Sequence, residues 1–151
     1  MSQDFRDLLL AFTGSRVRFL VVGAYALGVH GVPRATGDLD LWVEPTPENA
    51  ALVHGALMRF GAPLEDLKIA DFAVPNLIFQ FGVRPSRIDV LTAISGVSFE
   101  GAWPSRVELT VEGLKVPVIG RDDLIRNKRA TGRPKDLLDV ESLERFPRAN
   151  P

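Results

Sequence analysis

Two aspartates two positions apart, Asp38 and Asp40, open the chemical reading of the chain, in the run Asp38-Leu39-Asp40-Leu41. Side chains on a strand alternate faces, so residues two apart point the same way. In a strand, both carboxylates would leave one face, and Leu39 and Leu41 the other. Two parallel carboxylates repel, and keeping both ionised calls for a cation between them. A third acid, Asp89, lies inside the apolar run Arg87-Ile88-Asp89-Val90-Leu91. Aspartate is a poor strand former, and an unpaired buried charge is costly. A metal ion resolves that cost in both places. So does an arginine, and Arg34, Arg84 and Arg87 are candidates for a purely structural pairing.

Gly23 ends the apolar run before these acids and opens a helix-capable segment. Backbone N–H groups at such a start can meet an anion, and glycine permits a tight turn and a close approach. The same residue also suits a plain strand-to-helix turn. Gly23, Gly28 and Gly31 lack the G-x-G-x-x-G spacing, and no glycine-lysine-serine/threonine follows, which excludes the two common nucleotide loops. Further on, the run RNKRATGRPK carries Arg126, Lys128, Arg129, Arg133 and Lys135. It reads either as a solvated helix end with favourable C-terminal charge or as a phosphate-binding patch. Asp136 and Asp139 follow at a spacing of one helix face, where they can pair with Lys128, Arg133 or Lys135. His30 and His54 have no metal-ligand spacing, and Trp42 and Trp103 read as core or rim aromatics.

The elements that must position these groups follow from periodicity and punctuation. Residues 4–12 read as an amphipathic helix with Phe5, Leu8, Leu9 and Phe12 on one stripe. A strand over 17–22 is apolar enough to be buried on both faces. A short helix over 23–29 and a strand over 39–43 come next. Thr46 is an N-cap and Pro47 the first helical position of a helix over 48–60, which carries Ala51, Leu52, Leu57 and Phe60. Strands over 77–81 and 87–91 join around Gly82, Arg84 and Pro85, and strands over 106–111 and 114–118 form a hairpin at Glu112-Gly113. Helices over 121–130 and 134–145 close the chain, the last lined by Leu137, Val140 and Leu143. This alternation predicts an α/β or α+β layer fold on a mixed sheet.

A length of 151 residues suits a single domain, 1–151, with a sizeable core. The net charge of -1 excludes a globally basic nucleic-acid coat, though not a local basic patch. The absence of cysteine excludes disulfides, thiolate zinc sites and a cysteine nucleophile. The segment MSQDFRDLLLAF lacks the basic start and apolar run of a signal peptide. No apolar stretch approaches membrane-spanning length, so a cytoplasmic protein with no membrane partner is expected.

Taken in order, Gly23-Ala24, Asp38-Leu39-Asp40 and Asp89 resemble the motif of the nucleotidyltransferase superfamily of the DNA polymerase β type. Arg34-Ala35-Thr36 before the acids resembles the R-x-T-x-D-x-D form of its small bacterial members. The ending Lys128…Arg133-Pro134-Lys135-Asp136-Leu137-Leu138-Asp139-Val140 resembles that of AbiEii-like and related proteins, some of them toxin or antitoxin components. The resemblance spans about residues 17–143. It implies a nucleotidyltransferase-like core in which Asp38, Asp40 and Asp89 hold Mg²⁺ or Mn²⁺ and, with Lys128, carry the catalysis. It implies phosphate binding by the Gly23 and Ala24 backbone, and nucleotide binding by Arg34, Thr36, Lys128 and Arg129, with Asp136 orienting the lysine. The implied reaction moves a nucleoside monophosphate from an NTP to a hydroxyl of an RNA or protein acceptor. Ala24 departs from the serine or glycine usual at its position, leaving a backbone N–H but no hydroxyl for phosphate. That departure and the small size also suit a weak or inactive copy serving as an antitoxin or as a module that binds a toxin or antitoxin partner.

Overall fold

A computed structural model describes residues 1–145. Strand β1 (Phe19–Val22) is buried at every position, because it lies inside the sheet and is covered on both faces. It runs antiparallel to β2 (Asp38–Val43) and parallel to β6 (Leu114–Val118). Strand β4 (Arg87–Leu91) pairs in parallel with β2, and β3 (Ile78–Phe81) forms the edge beside it. Strand β5 (Val107–Val111) forms the opposite edge, so the order is β3-β4-β2-β1-β6-β5. The expected mixed sheet with helices packed on it is the observed architecture.

The β5–β6 hairpin turns at Glu112 and Gly113, both at positive φ (49° and 85°), the combination a two-residue turn demands. Helix α1 (Gln3–Gly14) is capped by the Ser2 side chain, which accepts from the Phe5 N–H. Its predicted stripe of Phe5, Leu8, Leu9 and Phe12 is buried. Helix α3 (Pro47–Phe60) starts as expected, with Thr46 as cap and Pro47 in the first turn. Its inward face differs from the expectation. Ala51 and Leu52 are exposed, whereas Asn49, Ala50, Val53, Ala56 and Leu57 are buried. Asn49 accounts for the rotation. Its Oδ1 accepts from the Arg18 N–H at 2.8 Å, and its Nδ2 donates to the Arg18 and Glu44 carbonyls, both at 2.9 Å. A buried amide with those partners is satisfied, and it ties α3 to the ends of β1 and β2.

On the chain between β1 and β2, α2 (Gly23–Val29) ends at His30, whose Nε2 hydrogen-bonds the Ile119 carbonyl at 2.7 Å. The short α4 (Phe99–Ala102) and the 3₁₀ turn Trp103–Ser105 place Phe99 edge-on to the buried Trp42 and stacked on Trp103. Helices α5 (Arg121–Thr131) and α6 (Pro134–Arg145) form a hairpin around Gly132, which sits at φ 70° as the left-handed cap. Arg121 ties its far end by donating to the Leu143 carbonyl at 2.8 Å. The expected stripe of α6 is shifted too. Leu137 is exposed, and the buried face is Asp136, Asp139, Val140 and Leu143. Two carboxylates occupy core positions because cations from other elements meet them there. Among the described residues, no helix is long and apolar enough to cross a membrane.

Candidate active site

The parallel pairing of β2 and β4 sets Asp40 directly opposite Asp89, and Asp38 opposite Arg87. Residues opposite each other on adjacent strands share a face, so three acids and one arginine emerge together. In the neighbouring pair, Val22 lies opposite Asp40, and Gly23 follows at φ 70°. A Cβ at Gly23 would lie 2.0 Å from the Asp40 Oδ2. The glycine is thus needed on two grounds, its left-handed backbone and the room it leaves for the carboxylate.

Burial, the neighbouring Asp89 carboxyl and the Asp38 charge push Asp40 up to about 7. A neutral Asp40 relieves the repulsion from the Asp89 and Asp38 carboxyls. The Oδ1 of Asp89 is buried and has no hydrogen-bond partner. Asp38 is in the opposite situation. It accepts from Arg84 at 3.1 and 3.2 Å and from Arg87 at 3.0 Å, and the Arg84 hydrogen bonds hold its carboxyl below the usual range. The Asp38 N–H donates to the Thr36 Oγ1 at 3.0 Å, which fixes the start of the strand.

A cleft of about 500 Å³ joins this acid edge to the basic run. Ala24, Thr36, Asp38 and Asp40 line it together with Arg34, Arg84, Lys128, Arg133 and Lys135. Lys128 is buried to 12% side-chain exposure and pairs with Asp139 at 3.0 Å and Asp136 at 3.4 Å. Asp139, 1% exposed, also receives Arg34 at 2.5 Å. Asp136 accepts from the Thr131 hydroxyl at 2.6 Å and Arg133 Nε at 2.7 Å. Burial raises the Asp136 pKa, but those hydrogen bonds and Lys128 outweigh it, so the net shift is downward.

The structure therefore brings together Asp38, Asp40, Ala24, Arg34, Thr36, Lys128 and Asp136 around one cleft, with Gly23 and Asp89 against Asp40. Arg129 is not in it. Its guanidinium pairs with Glu144 at 2.7 Å, because the α5 turn that sends Lys128 inward sends the next residue out. Sequence reasoning assigned no site role to Arg133 and Lys135 individually, although the basic run contained both. It also missed the Arg34–Asp139 pair, which joins residues 105 apart. The structural alternative for the acids holds at Asp38, through Arg84 and Arg87, and Arg34 takes no part in it.

Asp40 and Asp89 fit a hard divalent cation: both offer carboxylate oxygens, and the Asp89 Oδ1 is a buried acceptor without a donor. Asp38 fits only when released from its arginines. Among the described residues, no group of three acidic or histidine side chains is arranged to hold a metal ion.

No family model matches the sequence, and no curated protein matches it. Solved structures do match. The proposed nucleotidyltransferase TM1012 of Thermotoga maritima is 14% identical, with a TM-score of 0.59 over 94% of this chain and 89% of its own. The antibiotic-resistance factor ANT(2'')-Ia is 15% identical, with a TM-score of 0.59 over 93% of this chain and 80% of its own. The lincosamide antibiotic adenylyltransferase LnuA, bound to lincomycin, is 12% identical, with a TM-score of 0.56 over 97% of this chain and 98% of its own. The chain has the nucleotidyltransferase fold along nearly its whole length.

Proposed function

We propose that this protein transfers a nucleoside monophosphate from an NTP to an acceptor hydroxyl, releasing pyrophosphate, with Mg²⁺ or Mn²⁺ as cofactor. The observation that carries the reading is a single cleft lined by both kinds of group. Asp40, backed by Asp89, lines it together with Lys128, Arg34, Arg133 and Lys135. Carboxylates suit a hard cation, and clustered cations suit a triphosphate. The divalent ion, when bound, supplies charge neutralisation at the phosphate under attack.

In this reading the chain's own groups divide the work. Asp40 and Asp89 hold the cation, joined by Asp38 once its arginines let go, and Asp89 also accepts the proton of the attacking hydroxyl. Lys135 and Arg133 face the triphosphate, and the Ala24 N–H takes the place of a hydroxyl donor. Lys128 is held by Asp136 and Asp139, so it presents a fixed charge at the cleft. Thr36 holds the Asp38 backbone. The acceptor is an RNA or protein hydroxyl, and the antibiotic-modifying neighbours add small hydroxylated molecules to the acceptors worth screening.

The test is calorimetry with each of the four NTPs, with and without Mg²⁺ or Mn²⁺, followed by labelled-NTP transfer to an acceptor panel. Metal-dependent binding of at least one NTP is expected, and Asp38→Ala should abolish transfer. Absence of metal-dependent binding to all four would overturn the reading. A second reading, an inactive member that binds a toxin or antitoxin partner, is favoured by the arginine clasp on Asp38 and by Ala24. Undiminished partner neutralisation by an Asp38/Asp40 double mutant would support it.

A further inference from the structure

The carboxylate of Asp38 already has a cation, and that cation is the protein's own. Arg84 reaches it with two hydrogen bonds, Nε to Oδ1 at 3.1 Å and Nη2 to Oδ2 at 3.2 Å. This is the fork geometry in which a guanidinium satisfies both carboxylate oxygens. Arg87 adds a third bond at 3.0 Å. The two arginines are held differently. Arg87 lies on β4, opposite Asp38 in register, with its side chain 29% exposed. Arg84 sits beyond the end of β3, in the segment that links β3 to β4, with its side chain 67% exposed. Among the described residues, the hydrogen bonds of Arg84 go to Asp38 alone. Asp40 and Asp89 face each other two register positions further along.

We propose that Arg84 is a displaceable stand-in for the metal ion: it occupies Asp38 in the metal-free protein and must leave before Asp38 can join Asp40 and Asp89 as a ligand. The inference rests on the metal-dependent reading above and adds a specific competitor to it. An exposed arginine–carboxylate pair is a weak interaction in water, so the clasp can open. Opening it still draws on the binding energy of the metal, so the clasp lowers metal affinity. Once free, the Arg84 guanidinium remains at the cleft wall, where it adds a positive charge beside the phosphates. Gly37 lets the segment pack this closely. A Cβ there would lie 3.1 Å from the Pro85 Cα and 3.2 Å from the Arg84 Cγ.

The experiment titrates Mn²⁺ alone into the full chain, read by calorimetry or by the loss of free Mn²⁺ signal in electron paramagnetic resonance. Wild type, Arg84→Ala and Lys135→Ala are compared. Lys135 lines the same cleft without touching Asp38, so its removal controls for charge alone. Arg84→Ala should bind Mn²⁺ about three- to tenfold tighter than wild type, and Lys135→Ala should change it by less than half of that. Arg84→Lys, which keeps the charge and loses the fork, should also bind more tightly than wild type. Equal tightening by Arg84→Ala and Lys135→Ala would show a field effect and overturn the clasp, leaving the proposed function standing. Unchanged or weaker binding by Arg84→Ala would do the same. No Mn²⁺ binding by wild type or Arg84→Ala would overturn both.

Discussion

Replacing Asp40 with asparagine should remove a pH dependence of folding that the acid pair builds into the protein. Burial, then the Asp89 and Asp38 carboxyls, raise Asp40 from an ordinary 3.8 to about 7. The folded state therefore holds this proton more tightly than the unfolded state does. The resulting stabilisation is complete below about pH 4 and is lost as pH rises through about 7, where the folded protein must also ionise. Between about pH 5 and pH 7 the loss is two pKa units' worth, about 3 kcal/mol. Asp38 and Asp136 have lowered values, so their linkage has the opposite sign and lies at lower pH. The difference between wild type and Asp40→Asn cancels those contributions. Urea unfolding in the presence of a chelator, at about pH 5 and about pH 8, measures it. The variant has no such proton to lose, so its stability relative to wild type should rise by about 3 kcal/mol from the lower pH to the higher one. Parallel stability curves, within about 0.5 kcal/mol, would refute the claim that folding makes Asp40 hold its proton more tightly. Excess Mg²⁺ at the higher pH should restore wild type and leave Asp40→Asn unmoved, because a cation then offsets the charge that Asp40 gains on ionising.

Two further substitutions test the architecture around that pair. Gly23→Ala should cost about 2–4 kcal/mol, from the left-handed backbone and from a Cβ set 2.0 Å from the Asp40 Oδ2. In an Asp40→Ala background the collision disappears, so thermal unfolding should show a coupling of at least about 1 kcal/mol, and strict additivity would exclude the contact as the cause. Lys128→Met should destabilise the ligand-free protein by about 3 kcal/mol, because Asp139 and Asp136 are 1% and 4% exposed and lose a buried partner. A Lys128→Met protein with wild-type stability and lost NTP binding would instead give Lys128 a ligand role only.

Local pattern was enough for most elements, and failed where a polar residue took an inward position. The strands over 87–91 and 114–118 follow directly from alternation and turn residues, and the Glu112-Gly113 turn from its composition. The faces of α3 and α6 do not, because hydrophobic counting places leucines inward, and here Asn49, Asp136 and Asp139 compete for those positions. Each wins because its partners arrive from elsewhere: Asn49 from the Arg18 and Glu44 backbone, Asp139 from Arg34, 105 residues away. Periodicity carries no information about such pairings. The same holds for the acids. Alternation showed that Asp38 and Asp40 share a face, but only the β2–β4 register sets Asp89 opposite Asp40 and Arg87 opposite Asp38.

That register also gives the acids different surroundings, where residue types alone left arginine and a cation both open. The difference is whether their oxygens have donors. The Asp38 oxygens do, from Arg84 and Arg87, whereas the Asp89 Oδ1 does not. The charge of the cleft points the same way. Five basic side chains line it against four acidic ones, in a chain whose net charge is -1. Asp38, Asp136 and Asp139 are paired with arginine or lysine, and Lys135 has no ion-pair partner among the described residues. With Asp40 protonated, the cleft carries a positive surplus, which is the field a polyanion such as a triphosphate needs. Raising the pH ionises Asp40 and shrinks that surplus. A cation bound at the acid pair would restore it, so triphosphate affinity should depend on the metal most strongly above about pH 7.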